Sequence, residues 1–189
     1  MTRSRALVPR VVPDSDNNAA FPDTPRDEQM QPKTVEETAL TMAVMMLPSD
    51  ANPQGQVHGG TIMKLVDTAA AAVAHRHARS HVATARIDSM SFLAPVEVGD
   101  LVTCKASMNA VWRTSMEVGV RVETENLLTG EVRHTSSAYL VMVAVDENHR
   151  PKPVPPLLAQ STVEERRRDA AEERRERRLV SRATPDPAS

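Results

Sequence analysis

Aromatic side chains make up only 2% of this 189-residue chain: one Trp, one Tyr and two Phe. Platforms on which nucleic-acid bases could stack are therefore nearly absent. A formal net charge of −2 offers no overall field to draw nucleic acid, so a nucleic-acid-binding role is excluded on both counts. Cys104 is the single cysteine; no disulfide framework can form within the chain, which fits a reducing compartment. No run approaches ~18 consecutive apolar residues, so no membrane-spanning helix is expected. The opening stretch MTRSRALVPRVVPDSDN begins basic but carries prolines and acids where a signal peptide requires an apolar core. A transit peptide is the less favoured reading, and the cytoplasm is the expected location.

What remains is a globular middle with poor flanks. Residues 1–33 mix Pro, Asp, Asn, Arg and Gln without period and read as a disordered tail. From Val35 onward Leu40, Met42, Val44 and Met46 alternate, which suits a half-buried strand. PSDANPQGQ is turn chemistry, and TIMKLVDTAAAAVAHRHAR follows as a helix whose stripe is Ile62, Leu65, Val66, Ala69 and Val73. Four strands come next: HVATARIDSMSFLAP, DLVTCKASMNAVW, SMEVGVRVETEN and EVRHTSSAYLVMVAV, the last two joined by LLTG. In the third of these, Met116, Val118, Val120 and Val122 share one face, with Glu117, Arg121 and Glu123 on the other. The order strand, helix, four strands predicts an α+β fold, one antiparallel sheet curled against one long helix. The expected folded domain is 34–158, followed by a charged C-terminal helix and tail over 159–189.

That tail helix, STVEERRRDAAEERRERRLV, has Ser161 or Thr162 as N-cap, with Glu164 or Glu165 as the reciprocal partner. Glu164 with Arg168, and Glu173 with Arg177, stand at i,i+4 spacing. A solvated helix is the plain expectation; the sharper one is that its arginines help hold a phosphorylated ligand.

The chemistry concentrates in NPQGQVHGGTIMKLVD, residues 52–67. A helix begins with backbone N–H groups that lack intrahelical partners, and the helix dipole adds positive character there. Gly59 and Gly60 leave those amides uncovered by any Cβ, so a carbonyl oxygen can approach closely, as in an oxyanion hole built from main chain. Asp67 lies two helical turns on, roughly 10–12 Å along the axis. It projects beside the same groove yet cannot touch the same carbonyl oxygen, so a site shared between two protomers meets the geometry better than one within a single helix. Each element alone has an ordinary alternative: Gly-Gly as a turn, Asp67 on a solvated face, Asn52-Pro53 as a turn opener. Their combination at a strand-to-helix junction is what points to function. His75 and His77 diverge at i,i+2 on a helix, so no metal site is expected.

This stretch resembles the acyl-CoA thioesterases of the hotdog fold, specifically the cytosolic acyl-CoA hydrolase branch. The resemblance continues through HVATARIDSMSFLAPVEVGD, RTSMEVGVRVETENLLTGE and the late VPPL, over residues from about 35 to 158, and the charged tail is similar too. It implies a curled antiparallel sheet wrapped around a long helix, and hydrolysis of fatty acyl-CoA to free fatty acid and coenzyme A. By resemblance, Asp67 is the catalytic carboxylate, acting as general base on water or attacking the thioester directly. Asn52 holds the water or carbonyl from the opposite side. His58, Gly59 and Gly60 polarise the thioester oxygen, and Thr84 lines the same cleft. Arg113, Thr114 and Ser115 match the loop where coenzyme A phosphates are held. No cofactor is implied, coenzyme A being part of substrate and product.

Relatives with two hotdog domains in tandem contribute Asn and Asp from different domains. This chain holds one domain and both residues, which implies a homodimer, with a trimer of dimers as the fuller assembly. The competing expectations are the same fold acting on another thioester, on acyl-carrier protein or an aromatic acyl-CoA, and a non-catalytic acyl-CoA-binding regulator. A binding module has no need of a base, so Asn52 and Asp67 together favour the enzyme.

Overall fold

The computed structural model describes residues 30–183. Residues 1–29, most of the expected disordered tail, lie outside the described residues. Strand β1 (Lys33–Thr34) leads into the single turn α1 (Val35–Thr38), then β2 (Leu40–Met45) and the long helix α2 (Gly59–Ala78). Strands β3 (His81–Phe92), β4 (Leu101–Val111), β5 (Ser115–Asn126) and β6 (Glu131–Val145) follow, and β7 (Leu157–Leu158) and α3 (Thr162–Ala183) complete the order. The five long strands form one antiparallel sheet in the order β2-β4-β5-β6-β3. This is the expected α+β architecture, with α2 against one face of the sheet.

Alternation and small side chains explain that packing. Val102, Cys104, Ala106 and Met108 of β4, Met116 to Val122 at every second position of β5, and Leu140, Met142 and Ala144 of β6 all turn inward. On α2, Ile62, Val66, Ala69, Ala70, Val73 and Ala74 meet them and are fully buried. Alanine loses no rotamer freedom in a helix and leaves room for the sheet to close on it. The helix ends at Arg79, held in the left-handed region (φ 49°, ψ 36°), with His75, Arg76 and His77 in the last turn where cations suit the dipole.

The start of the domain differs from expectation. Lys33 is not tail: it pairs in parallel with Leu157, and its ammonium donates to the carbonyls of Arg76 (2.9 Å) and His77 (2.7 Å) at the end of α2. Residues 35–38 are helical rather than extended because Thr34 and Glu37 form a reciprocal cap. Glu37 N–H donates to Thr34 Oγ1 (3.3 Å) and Thr34 N–H to Glu37 Oε2 (2.6 Å).

The other correction concerns α3, which is solvated over most of its surface but docks one face on the sheet. Ser161 Oγ caps it by accepting from Glu164 N–H at 3.3 Å. Arg167, Ala171, Arg174 and Arg178 then share one face and lie across the outer surface of the sheet. Arg174 meets Glu117 through its Nη2 (2.6 Å) and Nε (3.2 Å), and Arg178 pairs with Asp88. The Trp112 indole donates to Glu172 at 2.9 Å. Glu117, expected on an open face of β5, is completely buried. Neither Glu164 with Arg168 nor Glu173 with Arg177 closes an ion pair among the described residues; the long-range pairs replace them. Among the same residues no helix is long and apolar enough to cross a membrane.

Candidate active site

Asn52 sits in a loop locked by its own side chain. Its Oδ1 accepts from the amides of Gln54 (2.9 Å) and Gln56 (3.2 Å), while its backbone N–H donates to Gln56 O at 2.6 Å. Gly55 allows the turn, at φ +84°. Val57 N–H then reaches Val96 O (2.8 Å) and His58 N–H reaches Asp50 O (2.8 Å), which fixes the approach to α2. With its carbonyl oxygen occupied, Asn52 can only donate outward, through Nδ2.

His58 is the N-cap of α2. Its Nδ1 accepts from Gly60 N–H at 3.3 Å, a role that a histidine next to glycine did not announce in the sequence. Gly60 is therefore already partnered. The Gly59 amide has no partner among the described residues and is the donor left at the helix start. Neither glycine is required by the chain's own sterics. Both are helical, and a Cβ built on Gly59 or Gly60 would meet its nearest neighbours, Phe92 and His58, at ordinary contact distances of 3.7 and 3.5 Å.

Asp67 lies half-buried on α2 and is oriented across to the sheet: Thr84 Oγ1 donates to Asp67 Oδ1 at 2.7 Å. Thr84 belongs to β3, which among the described residues pairs only with β6 and leaves its other edge open. The ladder slips between Thr84 and Arg86 and again between Ile87 and Ser89, and such irregularities re-aim side chains along a strand. The pair stands beside that edge, and Oδ2 of Asp67 has no hydrogen-bond partner among the described residues.

Beside the helix start is an apolar cleft of about 350 Å³ lined by Val57, Gly59, Ile62 and the segment Phe92–Val96. Phe92 and Leu93, the two large apolar groups at its rim, are 53% and 59% exposed. Sequence reasoning missed this cleft; the apolar pair closing a strand just before Pro95 was the available signal. The cleft contains Gly59 but not Asp67, which lies two helical turns further along α2.

Arg113, Thr114 and Ser115 form the hairpin between β4 and β5. Trp112 N–H closes it on Ser115 O (2.8 Å), and Ala144 and Val154 donate to Thr114 O and Arg113 O. Thr114 and Ser115 are buried, at 4% and 2% exposure, which corrects their assignment as phosphate contacts; Arg113 alone faces solvent. Ser115 pairs with Val143, which pairs with Ala83, so the hairpin stands two strand spacings, about 10 Å, from β3. His75 and His77 also part: His75 Nδ1 meets Ser80 O and His77 Nε2 meets Pro155 O. No cluster of three His, Cys, Asp or Glu capable of holding a metal ion occurs among the described residues.

The sequence profile of the thioesterase superfamily matches residues 54–131. Protein VdlD of Helicobacter pylori is 39% identical over 145 residues, covering 77% of this chain and 83% of that protein. A hexameric acyl-CoA thioesterase in its apo form superposes with a TM-score of 0.79 at 40% identity, over 82% of this chain and 100% of the other. The acyl-CoA hydrolase of Staphylococcus aureus, solved with butyryl coenzyme A, coenzyme A and coenzyme A disulfide, gives 0.74 at 32% identity, over 80% and 92% of the two chains. Alanine variants of that enzyme at an asparagine, an aspartate and a threonine have also been solved, and those positions are 15 and 17 residues apart. Asn52, Asp67 and Thr84 are separated by the same two intervals.

Proposed function

The chain belongs to the thioesterase superfamily, with the hotdog fold, and from that premise we infer that it is an acyl-CoA thioester hydrolase releasing free fatty acid and coenzyme A. The observation that carries the assignment of residues is Asp67, oriented by Thr84 at 2.7 Å beside the open edge of β3. The matched spacing in the Staphylococcus aureus variants supports it. A β3 edge twelve residues long is a template for pairing with a second copy, and that edge is where a partner's helix start would come near Asp67. Glycines that the chain itself does not require at positions 59 and 60 suit the close approach of a substrate carbonyl.

The chemistry then runs across two protomers. The thioester oxygen accepts from Gly59 N–H and from Asn52 Nδ2 on one chain, and Asp67 comes from the other. As general base, Asp67 takes a proton from water as the water oxygen attacks the carbonyl carbon. The tetrahedral oxyanion draws on donors already in place, the C–S bond breaks, and the thiolate leaves with the proton that Asp67 returns. As nucleophile, Asp67 would instead form an acyl anhydride that water hydrolyses. After a single turnover in ¹⁸O-labelled water, label in the carboxylate of Asp67 would establish the anhydride, opened by water at its aspartyl carbonyl, whereas label confined to the fatty acid fits either the general-base route or opening at the acyl carbonyl. The cleft bounded by Phe92 and Leu93 takes the start of the acyl chain. The reaction needs no metal or organic cofactor. Arg113, on the exposed hairpin, is retained as a contact to coenzyme A phosphate. The assembly is a homodimer, with a trimer of dimers as the larger unit, and the place of work is the cytoplasm.

A thiol-release assay across acyl-CoA chain lengths tests the activity; a protein specific for acyl-carrier protein or aromatic thioesters would leave the fatty series untouched. Asp67→Ala should lower turnover by ~10²–10⁴-fold in a folded oligomer. Mixing Asn52→Ala with Asp67→Ala chains should restore part of it, because a mixed dimer rebuilds one intact site. Re-equilibrated mixtures that remain inactive would place the whole site within one chain.

A further inference from the structure

Strand β3 sends side chains to opposite faces of the sheet where regular alternation would put them on one. Thr84 bonds Asp67 of α2 on the inner face, Asp88 bonds Arg178 of α3 on the outer face, and Met90 packs against the core. Residues two or four apart in a regular strand share a face. Two extra residues resolve the conflict. The ladder with β6 pairs Thr84 with Met142, Arg86 with Val141, Ile87 with Leu140 and Ser89 with Tyr139, so Ala85 and Asp88 have no partner in it. The bulge at Ala85 turns Asp88 to the face opposite Thr84, and the bulge at Asp88 returns Met90 to the inside. Asp88 is anchored at both carboxylate oxygens: Oδ1 meets Arg86 Nε at 3.1 Å, and Oδ2 accepts from Arg178 Nη1. The Asp88 and Arg178 side chains keep only 9% and 12% exposure, so solvent does not screen them as it screens a surface pair. Arg178 is itself held, 3.5 Å from Glu117 Oε2 and 5.6 Å from the centroid of the Trp112 ring. It thereby ties β3 to β5 across the intervening β6.

We propose that Arg178 is a positioning residue for hydrolysis: by holding Asp88 on the outer face it keeps both bulges in place, and through them the aim of Thr84 at Asp67. The inference rests on the assignment of Asp67 and Thr84 made above. An extra residue in a ladder can be taken up at more than one position, and each one-residue step turns the side chains it passes to the other face. Regular pairing from Ala85 to Asp88 would carry Asp88 towards α2 and away from Arg178, so the ion pair excludes that arrangement. Once the anchor is gone, the segment between Thr84 and Met90 is free to redistribute its extra residues, and Thr84 loses the strand geometry that points its hydroxyl at the carboxylate. Arg178 touches neither substrate nor Asp67. Its influence passes along four residues of backbone, from the outer face of the sheet to the inner one.

Steady-state kinetics of the full chain on an acyl-CoA, with Asp88→Asn, Arg178→Met and the double variant, test the proposal. Asp88→Asn is isosteric and leaves Arg178 beside Glu117, so it isolates the link to β3. Each single change should lower kcat by about 10–100-fold, the scale of a small misplacement at a reacting centre, while KM moves less than about threefold. The double variant should be no slower than the worse single, because both act through one contact. Arg178→Lys, whose ammonium can still pair with Asp88, should recover most of the loss. Hydrogen exchange read by mass spectrometry supplies a measure that general destabilisation would not reproduce: amides between Thr84 and Met90 should exchange faster in Asp88→Asn, with β4 and β5 at wild-type rates. A kcat for Asp88→Asn within about twofold of wild type, losses that multiply in the double variant, or exchange raised evenly over the sheet overturns the proposal. Asp67→Ala, assayed alongside, keeps the two readings apart. If it turns over like wild type, the assignment of the site has failed; if it is inactive beside a fully active Asp88→Asn, only the role of Arg178 has.

Discussion

Removing the Arg174 guanidinium should destabilise the protein far more than losing an ordinary helix arginine. Glu117 has no solvent exposure, and its carboxylate is satisfied by Arg174 Nη2 (2.6 Å), by Asn109 Nδ2 (3.2 Å) and by a longer approach of Arg178 (3.5 Å). In Arg174→Ala the carboxylate keeps its burial but loses its main counter-charge, the situation that typically costs about 3–5 kcal/mol. Arg178 still stands near enough to compensate in part, while the cation over Tyr139 is lost as well. The lower end, about 3 kcal/mol, is the expected value. For a chain of this size that corresponds to a fall of about 6–12 °C in Tm, read by far-UV circular dichroism at fixed protomer concentration because assembly shifts Tm by mass action. The second arm is Glu117→Gln in the same background. Neutralising the stranded carboxylate should recover at least half of the loss, since what Arg174→Ala leaves behind is an unpaired charge rather than a cavity. A loss under about 1 kcal/mol, the ceiling for an exposed pair, or a double variant no better than the single, would refute the reasoning.

Three further outcomes are expected. Burial holds the His77 imidazole below its ordinary pKa of 6.5, against the opposing pull of its bond to Pro155 O and with the Lys33 charge adding to the depression. The unfolded chain therefore binds a proton that the folded chain refuses, so stability should fall as pH drops below 6.5, by up to about 1.4 kcal/mol per pH unit. Urea titrations should find that slope flattened in His77→Gln; an equal slope in both proteins contradicts it. Burial pushes the Cys104 thiol up to about 11, so a thiol reagent at neutral pH should label one cysteine only after denaturation, and fast labelling of the native protein counts against that burial. Lys33→Ala removes two donors from the carbonyls that end α2 and should cost about 1–2 kcal/mol, with faster amide exchange in the last turn of α2; unchanged exchange would return Lys33 to the tail.

The sequence was most legible where a period and a stop signal coincide. β6 runs from Glu131 to Val145, the span its apolar run indicated, and the Gly-Gly and Arg79 boundaries of α2 follow from cap chemistry. Alternation in β5 placed Met116 and Val118 inward correctly but could say nothing of what covers Glu117, because its partner Arg174 is 57 residues away. A charge-rich helix looks solvated whenever its counter-charges lie on another element. The turn at 35–38 was readable, since Thr34 and Glu37 spell a capping box, yet the alternation beginning at Leu40 drew attention past it. At the site, local order was visible in the glycines and Asp67; resemblance placed Thr84 in the same cleft, but no local pattern encodes its bond to Asp67. Burial of Thr114 and Ser115 depends on the hairpin folding under β6 and the Val154 segment, which no local pattern encodes.

The contact between Arg174 and Glu117 also sets an order on synthesis. Fifty-seven residues separate the two, so at ~5–20 residues per second a growing chain carries Glu117 for several seconds before its counter-ion exists. During that interval β4, β5 and β6 can already close on α2, since of the core they share only Val154 and Leu157 come later in the chain. Their outward face cannot be dried, because a bare carboxylate at its centre must stay hydrated. The nascent sheet is thereby kept wet on the side where two such sheets would otherwise stack, and it becomes dry only when its own helix arrives to cover it.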